Sequence, residues 1–236
     1  MSTAVQETTQ DHPLLDNPIW QALNSRHRSF NRGTGQAARY PAGISRFAAL
    51  ERPDAAAFDD LATLVQPGET VAFFTAEPLD LPKGWEVLRA RALDQMVCER
   101  LTGSAAPLTL PLETKDVGEM LALALATEPG PFSEGTIRMG RYFGFRSEDG
   151  RLAAMAGERL CLTGYSEISA VCTDPAFRGR GYAKALVVGL AAMALAEGNL
   201  PFLHVKTENG ARGLYEALGF RLRRAIQLTV LSRKSA

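Results

Sequence analysis

The chain of 236 residues carries 26 basic and 26 acidic side chains, a balance that gives no pull toward nucleic acid or a membrane surface. Its polar first residues, MSTAVQETTQDH, lack the basic start and apolar core of a leader peptide, and no charge-free apolar run reaches the roughly 18 to 20 residues of a membrane span. A soluble, cytoplasmic protein is therefore expected, with no nucleic-acid or membrane partner; Cys98, Cys161 and Cys172 are odd in number and lack ligand spacing, so neither a disulfide framework nor a metal is expected.

Residues 1–16 read as a mobile tail. Residues 17–103 alternate loosely between types and read as a smaller α/β domain. RYPAGISRFAAL is irregular to extended, PDAAAFDDLATLV is a helix with Asp54 near its start, and ETVAFFTA is a buried strand. GWEVLRARALDQMVCE is a strand that runs into a helix or a further strand. GSAAPLTLP is rich in small residues and proline, which places a linker at 104–107 and a second domain at 108–236. There Leu108–Leu112 is a short strand, and leucines at three- and four-residue spacing predict a helix from Thr114 to Ala126 that Pro129-Gly130-Pro131 stops. RYFGFRSEDGRLAAMAGERL reads as a hairpin turning at Asp149-Gly150. GYSEISAVCTD is a strand, a helix runs from about Gly179 to Gly198, PFLHVKT is a strand, GARGLYEAL a helix and RRAIQLTVL a last strand. The order is β-α-β-β-β-α-β-α-β, an α+β fold with a mixed sheet.

The helix after FRGRGYA is apolar on nearly every side, through Leu186, Val187, Val188, Leu190, Met193 and Leu195, and so is expected to be buried against the sheet. Its chemistry must sit at its start. A strand entering a glycine turn and then a helix makes an anion site: the first helical amides lack partners, and Gly179 and Gly181 let a phosphate approach the backbone. Arg178 and Arg180 add charge. The competing reading is a surface turn whose glycines only permit tight geometry. A P-loop is absent, and a dinucleotide fingerprint fails at its last glycine, with Glu208 later than the ~20 residues expected for its acidic partner.

RGRGYA resembles the Gln/Arg-x-x-Gly-x-Gly/Ala turn of the GNAT superfamily of coenzyme A-dependent N-acetyltransferases, with Arg178, Gly181 and Ala183 in the defining places. TDP at Thr173–Pro175 and NGARGLYEALGF at Asn209–Phe220 are similar to further parts of that family, and GYSEISAVCTDPAFR aligns with its glycine N-acyltransferase-like group. The likeness covers Leu108 to Leu231. It implies a GNAT fold in the second half and acetyl-CoA (or another acyl-CoA) as co-substrate. The acceptor is a small-molecule or peptide amine, which attacks directly in a ternary complex.

Residue by residue, the resemblance places pantetheine along Val171, Cys172 and Thr173, and the pyrophosphate on the amides of Gly179, Arg180, Gly181, Tyr182, Ala183 and Lys184, with Arg178 beside them and Asn209 on the cofactor. Strand alternation puts Glu167, Ser169, Val171 and Thr173 on one face. Glu167 is expected as general base, against a structural ion pair, and Tyr215 as general acid, against a packed tyrosine. Cys172 reads as a packing residue and His204 as a satisfied core or pocket histidine. The EPGPF stretch, Glu128–Phe132, lies where the family builds its acceptor pocket, and reads either as a shaper of acceptor choice or as a helix stop alone. The first half reads as a degenerate GNAT-like copy or as a cap or dimerisation element, and a homodimer stays open. A coenzyme A-binding regulator without catalysis and a dinucleotide binder are the rival functions.

Overall fold

Residues 11–33, 35–103, 110–207 and 210–235 are described by the computed structural model. The first half contributes α1 (Pro18–Leu23), the antiparallel pair β1 (Ala37–Arg39) and β2 (Ala48–Leu50), α2 (Ala55–Leu64), β3 (Thr70–Thr75) and β4 (Trp85–Val97). Asp54 caps α2, its Oδ1 accepting from the Ala57 amide at 3.0 Å, which satisfies one of the amides a helix start leaves orphaned. The stretch that could have turned helical after Trp85 is one strand of 13 residues. It has a neighbour on each side, so ladder hydrogen bonds along both edges override local preference.

The second half runs β5 (Pro111–Leu112), α3 (Val117–Thr127), β6 (Tyr142–Arg146), β7 (Leu152–Leu162), β8 (Tyr165–Thr173), α4 (Tyr182–Ala196), β9 (Leu200–Lys206), α5 (Arg212–Ala217) and β10 (Arg221–Arg233). This is the order read from the sequence, and the α+β class stands. Eight strands form one sheet in the order β3-β10-β4-β9-β8-β7-β6-β5, antiparallel everywhere except between β8 and β9. The sheet crosses the boundary expected between two domains. β4, from before that boundary, lies between β9 and β10 and pairs with both. The expected linker at 104–107 lies outside the described residues.

Every residue of β7 is buried, because both faces of the sheet are covered. On one face α4 packs Leu186, Val187, Leu190 and Ala191 onto Ala154, Ala156, Ile168 and Leu203. On the other, α1 and α3 cover Leu160, Phe202 and Leu93 and, further along, Met155 and Cys172. Residues 11–16 are not loose: Pro13–Asp16 form a 3-10 turn, and Leu15 is wholly buried in the α1 cluster. An apolar side chain with a pocket to fill holds that part of the expected tail. Among the described residues no helix is long and apolar enough to cross a membrane.

Gly157 pairs directly with Tyr142 across the sheet. A Cβ at Gly157 would come within 2.5 Å of Tyr142 Cγ, and the buried ring has nowhere to go. Gly157→Ala should lower stability by about 1–3 kcal/mol, read from the urea midpoint. Gly118→Ala, exposed on α3 with open space around its Cβ site, should raise stability by about 0.5–1 kcal/mol. Equal midpoints for the two variants would contradict this account of β6–β7 packing.

Candidate active site

Strands β8 and β9 pair in parallel over three rungs, Tyr165–Leu200, Ser166–Pro201 and Glu167–Phe202. Beyond them β8 kinks. Ala170 has φ 52, the one non-glycine residue with left-handed backbone inside a strand among the described residues, and the pairing with β7 slips at the same place, between Ser169 and Cys172. The result is a β-bulge, which bends the strand and shifts its alternation. The expected face of Glu167, Ser169, Val171 and Thr173 is therefore split. Ile168 and Val171 both pack with α4, three residues apart, whereas Ala170 and Cys172 pack toward α3. Between the diverging strands lies a cleft of about 1280 Å³ that passes from the start of α4 to the opposite face of the sheet.

At the α4 end, Gly179 and Gly181 have φ 78 and 80, and a Cβ on either would meet nothing within 4 Å. Gly181 occupies the N-cap with no side chain capping it, and the first helical amide to reach a carbonyl is that of Ala185, bonded to Gly181 O at 3.0 Å. The amides from Gly179 to Lys184 find no acceptor among the described residues. They surround an open concavity and carry the partial positive charge of a 15-residue helix. Arg178, Arg180 and Lys184 are exposed at its rim, and the Arg180 guanidinium lies over Phe177, 5.1 Å from the ring centroid. Ala183 also lines this mouth. The Tyr182 ring stacks on Phe145 at 4.7 Å, so its amide rather than its side chain is offered to the cradle.

Along the wall formed by β8, Val171 and Thr173 are half-buried and Cys172 is buried. The Thr173 hydroxyl is buried without a hydrogen-bond partner among the described residues, while its residue lines the cleft. Burial pushes the Cys172 thiol up to about 11, so it stays protonated and unreactive. Tyr215 stands on the facing wall from α5, buried against Phe220 and lining the cleft. Burial raises its phenol to about 12, keeping the proton on at neutral pH. Asn209 lies outside the described residues.

Glu167 sits at the apex, where the strands part, fully buried. Oε1 accepts from Arg159 Nη2 at 2.6 Å and His204 Nδ1 at 2.8 Å, and Oε2 from Arg159 Nε at 2.9 Å and the Leu160 amide at 3.2 Å. Burial alone would raise its pKa. The charge of Arg159 and the bonds from His204 and Arg159 outweigh that and hold it at about 2. The sequence weighed an ion pair against a base here, and the structure contains the ion pair. Glu167 itself does not line the cleft, whereas Arg159 and His204 do.

The network continues outward. His204 Nε2 lies 3.0 Å from Gln95 Nε2, which also donates to Leu15 O at 2.9 Å, while Gln95 Oε1 accepts from Arg223 Nη1 at 2.8 Å. The Gln95 amide is thereby fixed with its nitrogen toward His204. The imidazole accepts at Nε2 and carries its proton on Nδ1. Sequence reasoning missed Arg159, whose only signal was a charged pair, Glu158-Arg159, inside an apolar strand. It also missed the basic residues Arg89, Arg91 and Lys206 that line the far mouth. Among the described residues there is no group of three or more His, Cys, Asp or Glu that could hold a metal.

A family profile described as FR47-like protein matches residues 142–228, and no curated protein matches the chain. Among solved structures, one named for a GNAT-family acetyltransferase from Novosphingobium aromaticivorans is 39% identical over 95% of this chain and 100% of that one, with a TM-score of 0.86. A GCN5-related N-acetyltransferase from Kribbella flavida, 15% identical over 95% of both chains with a TM-score of 0.61, shares the fold. So does a GCN5-related N-acetyltransferase-like protein from Streptococcus suis, 16% identical over 91% of this chain and 92% of that one, with a TM-score of 0.56. A cleft opened between parallel strands, an amide cradle at a helix start and this degree of likeness to a whole chain lead to one conclusion: the protein belongs to the GNAT family of acetyltransferases.

Proposed function

We propose that the protein moves an acetyl or other short acyl group from acyl-coenzyme A to an amine by direct attack in a ternary complex. The observation that carries this reading is the gap between β8 and β9, opening past Glu167 and Phe202 and ending on the unpartnered amides of Gly179–Lys184. Acyl-coenzyme A supplies an activated thioester, an extended amide-bearing arm and a diphosphate. The cradle suits the diphosphate, because a side chain on Gly179 or Gly181 would occupy the space it needs. Among the described residues the β9-facing edge of β8 has no strand partner beyond Glu167 and suits the extended arm, with the Thr173 hydroxyl as an additional unclaimed hydrogen-bonding group. A backbone amide there, that of Val171 in this reading, polarises the thioester carbonyl as it gains charge.

The protons are handled as follows. The amine forms the C–N bond, the C–S bond breaks, and Tyr215 gives its proton to the departing sulfur, later recovering one from solvent. Glu167 has all four acceptor directions filled and is held at about 2. In this reading it therefore positions Arg159 and His204, and the proton of the amine leaves through water in the cleft. The glycine N-acyltransferase-like group assigns a base to the position of Glu167, and that saturation weighs against membership. In this reading the first half completes the acceptor side, through Ala72 and Phe74 of β3 and Arg89 of β4, which line the cleft.

Three measurements check the reading. Acetyl-CoA should raise the melting temperature where NAD and NADP do not, and thiol release from acetyl-CoA should depend on an added amine. Binding without release for any amine would make the protein a coenzyme A-responsive regulator. Tyr215→Phe should lower kcat by about 10²-fold or more with the acetyl-CoA Kd nearly unchanged. A large rise in Kd would recast Tyr215 as a binding residue. Glu167→Gln should cost about 3–5 kcal/mol, because it strands a buried arginine, and replacing both partners with Glu167→Leu and Arg159→Met should recover most of that. Since the folded pKa of Glu167 lies below its ordinary value of 4.5, its contribution is complete above ~4.5 and is lost as pH falls toward about 2. The variant's stability should slope less over that range. An unchanged denaturation midpoint together with loss of the acidic limb of the rate profile would restore Glu167 as base.

A further inference from the structure

The walls of the cleft carry seven basic side chains and one acidic one, Glu128, although the chain as a whole has equal numbers of each. Three of the seven, Arg178, Arg180 and Lys184, belong to the cradle. Arg159 is neutralised by Glu167. The remaining three, Arg89, Arg91 and Lys206, lie on the other face of the sheet, and among the described residues none of them has a carboxylate within ion-pair distance.

Register fixes their placement. On β4, Arg89, Arg91 and Leu93 alternate onto one face, and Leu93 packs in the α1 cluster, on the side away from α4. Lys206 pairs with Leu93, Arg91 with Leu228 and Arg89 with Val230. Leu228 and Val230 in turn pair with Phe74 and Ala72 of β3. The far mouth thus has an apolar floor of Phe74, Leu228 and Val230 with cations along its β4 edge, and Glu128 stands on the opposite wall.

Resting on the acyl-transfer reading above, we propose that the acceptor is an elongated amine, an apolar body with the reacting nitrogen at one end and a carboxylate at the other. The nitrogen lies at the apex, near Ser169 and His204, the body on Phe74, Leu228 and Val230, and the carboxylate against Arg91, with Arg89 and Lys206 beside it. The separation follows from the strand. Gln95, the pairing partner of His204, and Arg91 stand four residues apart on β4, about 13 Å at ~3.3 Å per residue. Even with the arginine outstretched, several bonds separate nitrogen from anion. An α-amino acid, whose carboxylate is one carbon from its nitrogen, does not span that floor. Arginines without a carboxylate partner among the described residues also favour an anionic group, which they can bind through paired charge-assisted hydrogen bonds.

The test compares kcat/KM with acetyl-CoA for para-aminomethylbenzoate, its neutral carboxamide and phenylalanine. The benzoate should exceed the carboxamide and phenylalanine by at least about 10-fold. Arg91→Gln should bring the benzoate-to-carboxamide ratio close to 1, and Arg91→Lys should restore part of it. If Arg91→Gln no longer binds acetyl-CoA, Arg89→Gln serves in its place, with the ratio expected to fall several-fold. Equal rates for acid and carboxamide, or a preference for phenylalanine, would overturn the proposal while leaving acyl transfer intact. Absence of turnover with all three and with simple amines, despite acetyl-CoA binding, would instead overturn the acyl-transfer reading and this proposal with it.

Discussion

Two parallel strands hold together for three rungs and then separate, and the cleft exists because that separation is fixed. Parallel neighbours in a sheet ordinarily stay paired, since an unpaired backbone edge is costly when it is buried. Here two features enforce the opening. Ala170, in left-handed backbone, turns β8 away from β9, and such a conformation in a non-glycine residue persists only where its surroundings over-determine it. The surroundings are visible: Ala170 and Cys172 pack into the α3 cluster, while Val171 packs toward α4. Core burial on both faces of the sheet holds the kink in place.

The second feature is the buried tie at the apex. Glu167 on β8, Arg159 on β7 and His204 on β9 join three adjacent strands through side chains at the point where the backbone ladder ends. Enclosing these charges is costly unless they are paired and hydrogen-bonded, and the four acceptor directions of Glu167 are all filled. The Arg159 guanidinium lies 5.1 Å from the centroid of the Phe47 ring and 5.5 Å from that of Phe74, so first-half aromatic faces stabilise the cation from the side the carboxylate leaves open. Gln95 and Arg223 then extend the network to Asp16. The apex is thereby wired to β4, β10 and the segment preceding α1, none of which reads as chemistry in the sequence.

That distinction explains what could be read from residues alone. The order of the nine elements after the linker was legible, because each rests on local signals: periodic leucines before Pro129, the Asp149-Gly150 turn, and an apolar helix launched from a glycine turn. The cradle was legible for the same reason, since its amides and glycines are contiguous in the chain. The bulge was not, because alanine has no special tendency toward left-handed backbone and only packing from two sides puts it there. Nor was the saturation of Glu167. Its partners come from β7 and β9, and one pair of charges in an apolar strand looks the same whether it is a base awaiting substrate or an ion pair already complete. The place of β4 was hidden for a topological reason: a strand from the first half enters the sheet of the second, and no local pattern announces a partner more than a hundred residues away.

β4 also changes what the first half is for. An independent cap could cover a site without altering its chemistry. A strand inserted between β9 and β10 becomes part of the wall, and its alternation decides which side chains the far mouth presents. The RAR run, Arg89-Ala90-Arg91, places two cations on one face and an alanine on the other, a pattern that a solvent-facing edge strand would have no need to aim at a cleft. Net charge cannot reveal such an arrangement. Twenty-six positive and twenty-six negative side chains cancel over the whole chain, yet the cleft concentrates cations at both mouths, one set beside the amide cradle and the other above an apolar floor. On the acyl-transfer reading proposed above, two anion-seeking ends joined by a passage through the sheet would draw two negatively charged molecules toward each other from opposite faces, with the Tyr215 phenol and the edge of β8 that has no strand partner among the described residues between them. If the reaction is the one proposed, the field that attracts each reactant is also the field that aligns them, and the buried tie at Glu167 adds no free charge of its own to the passage.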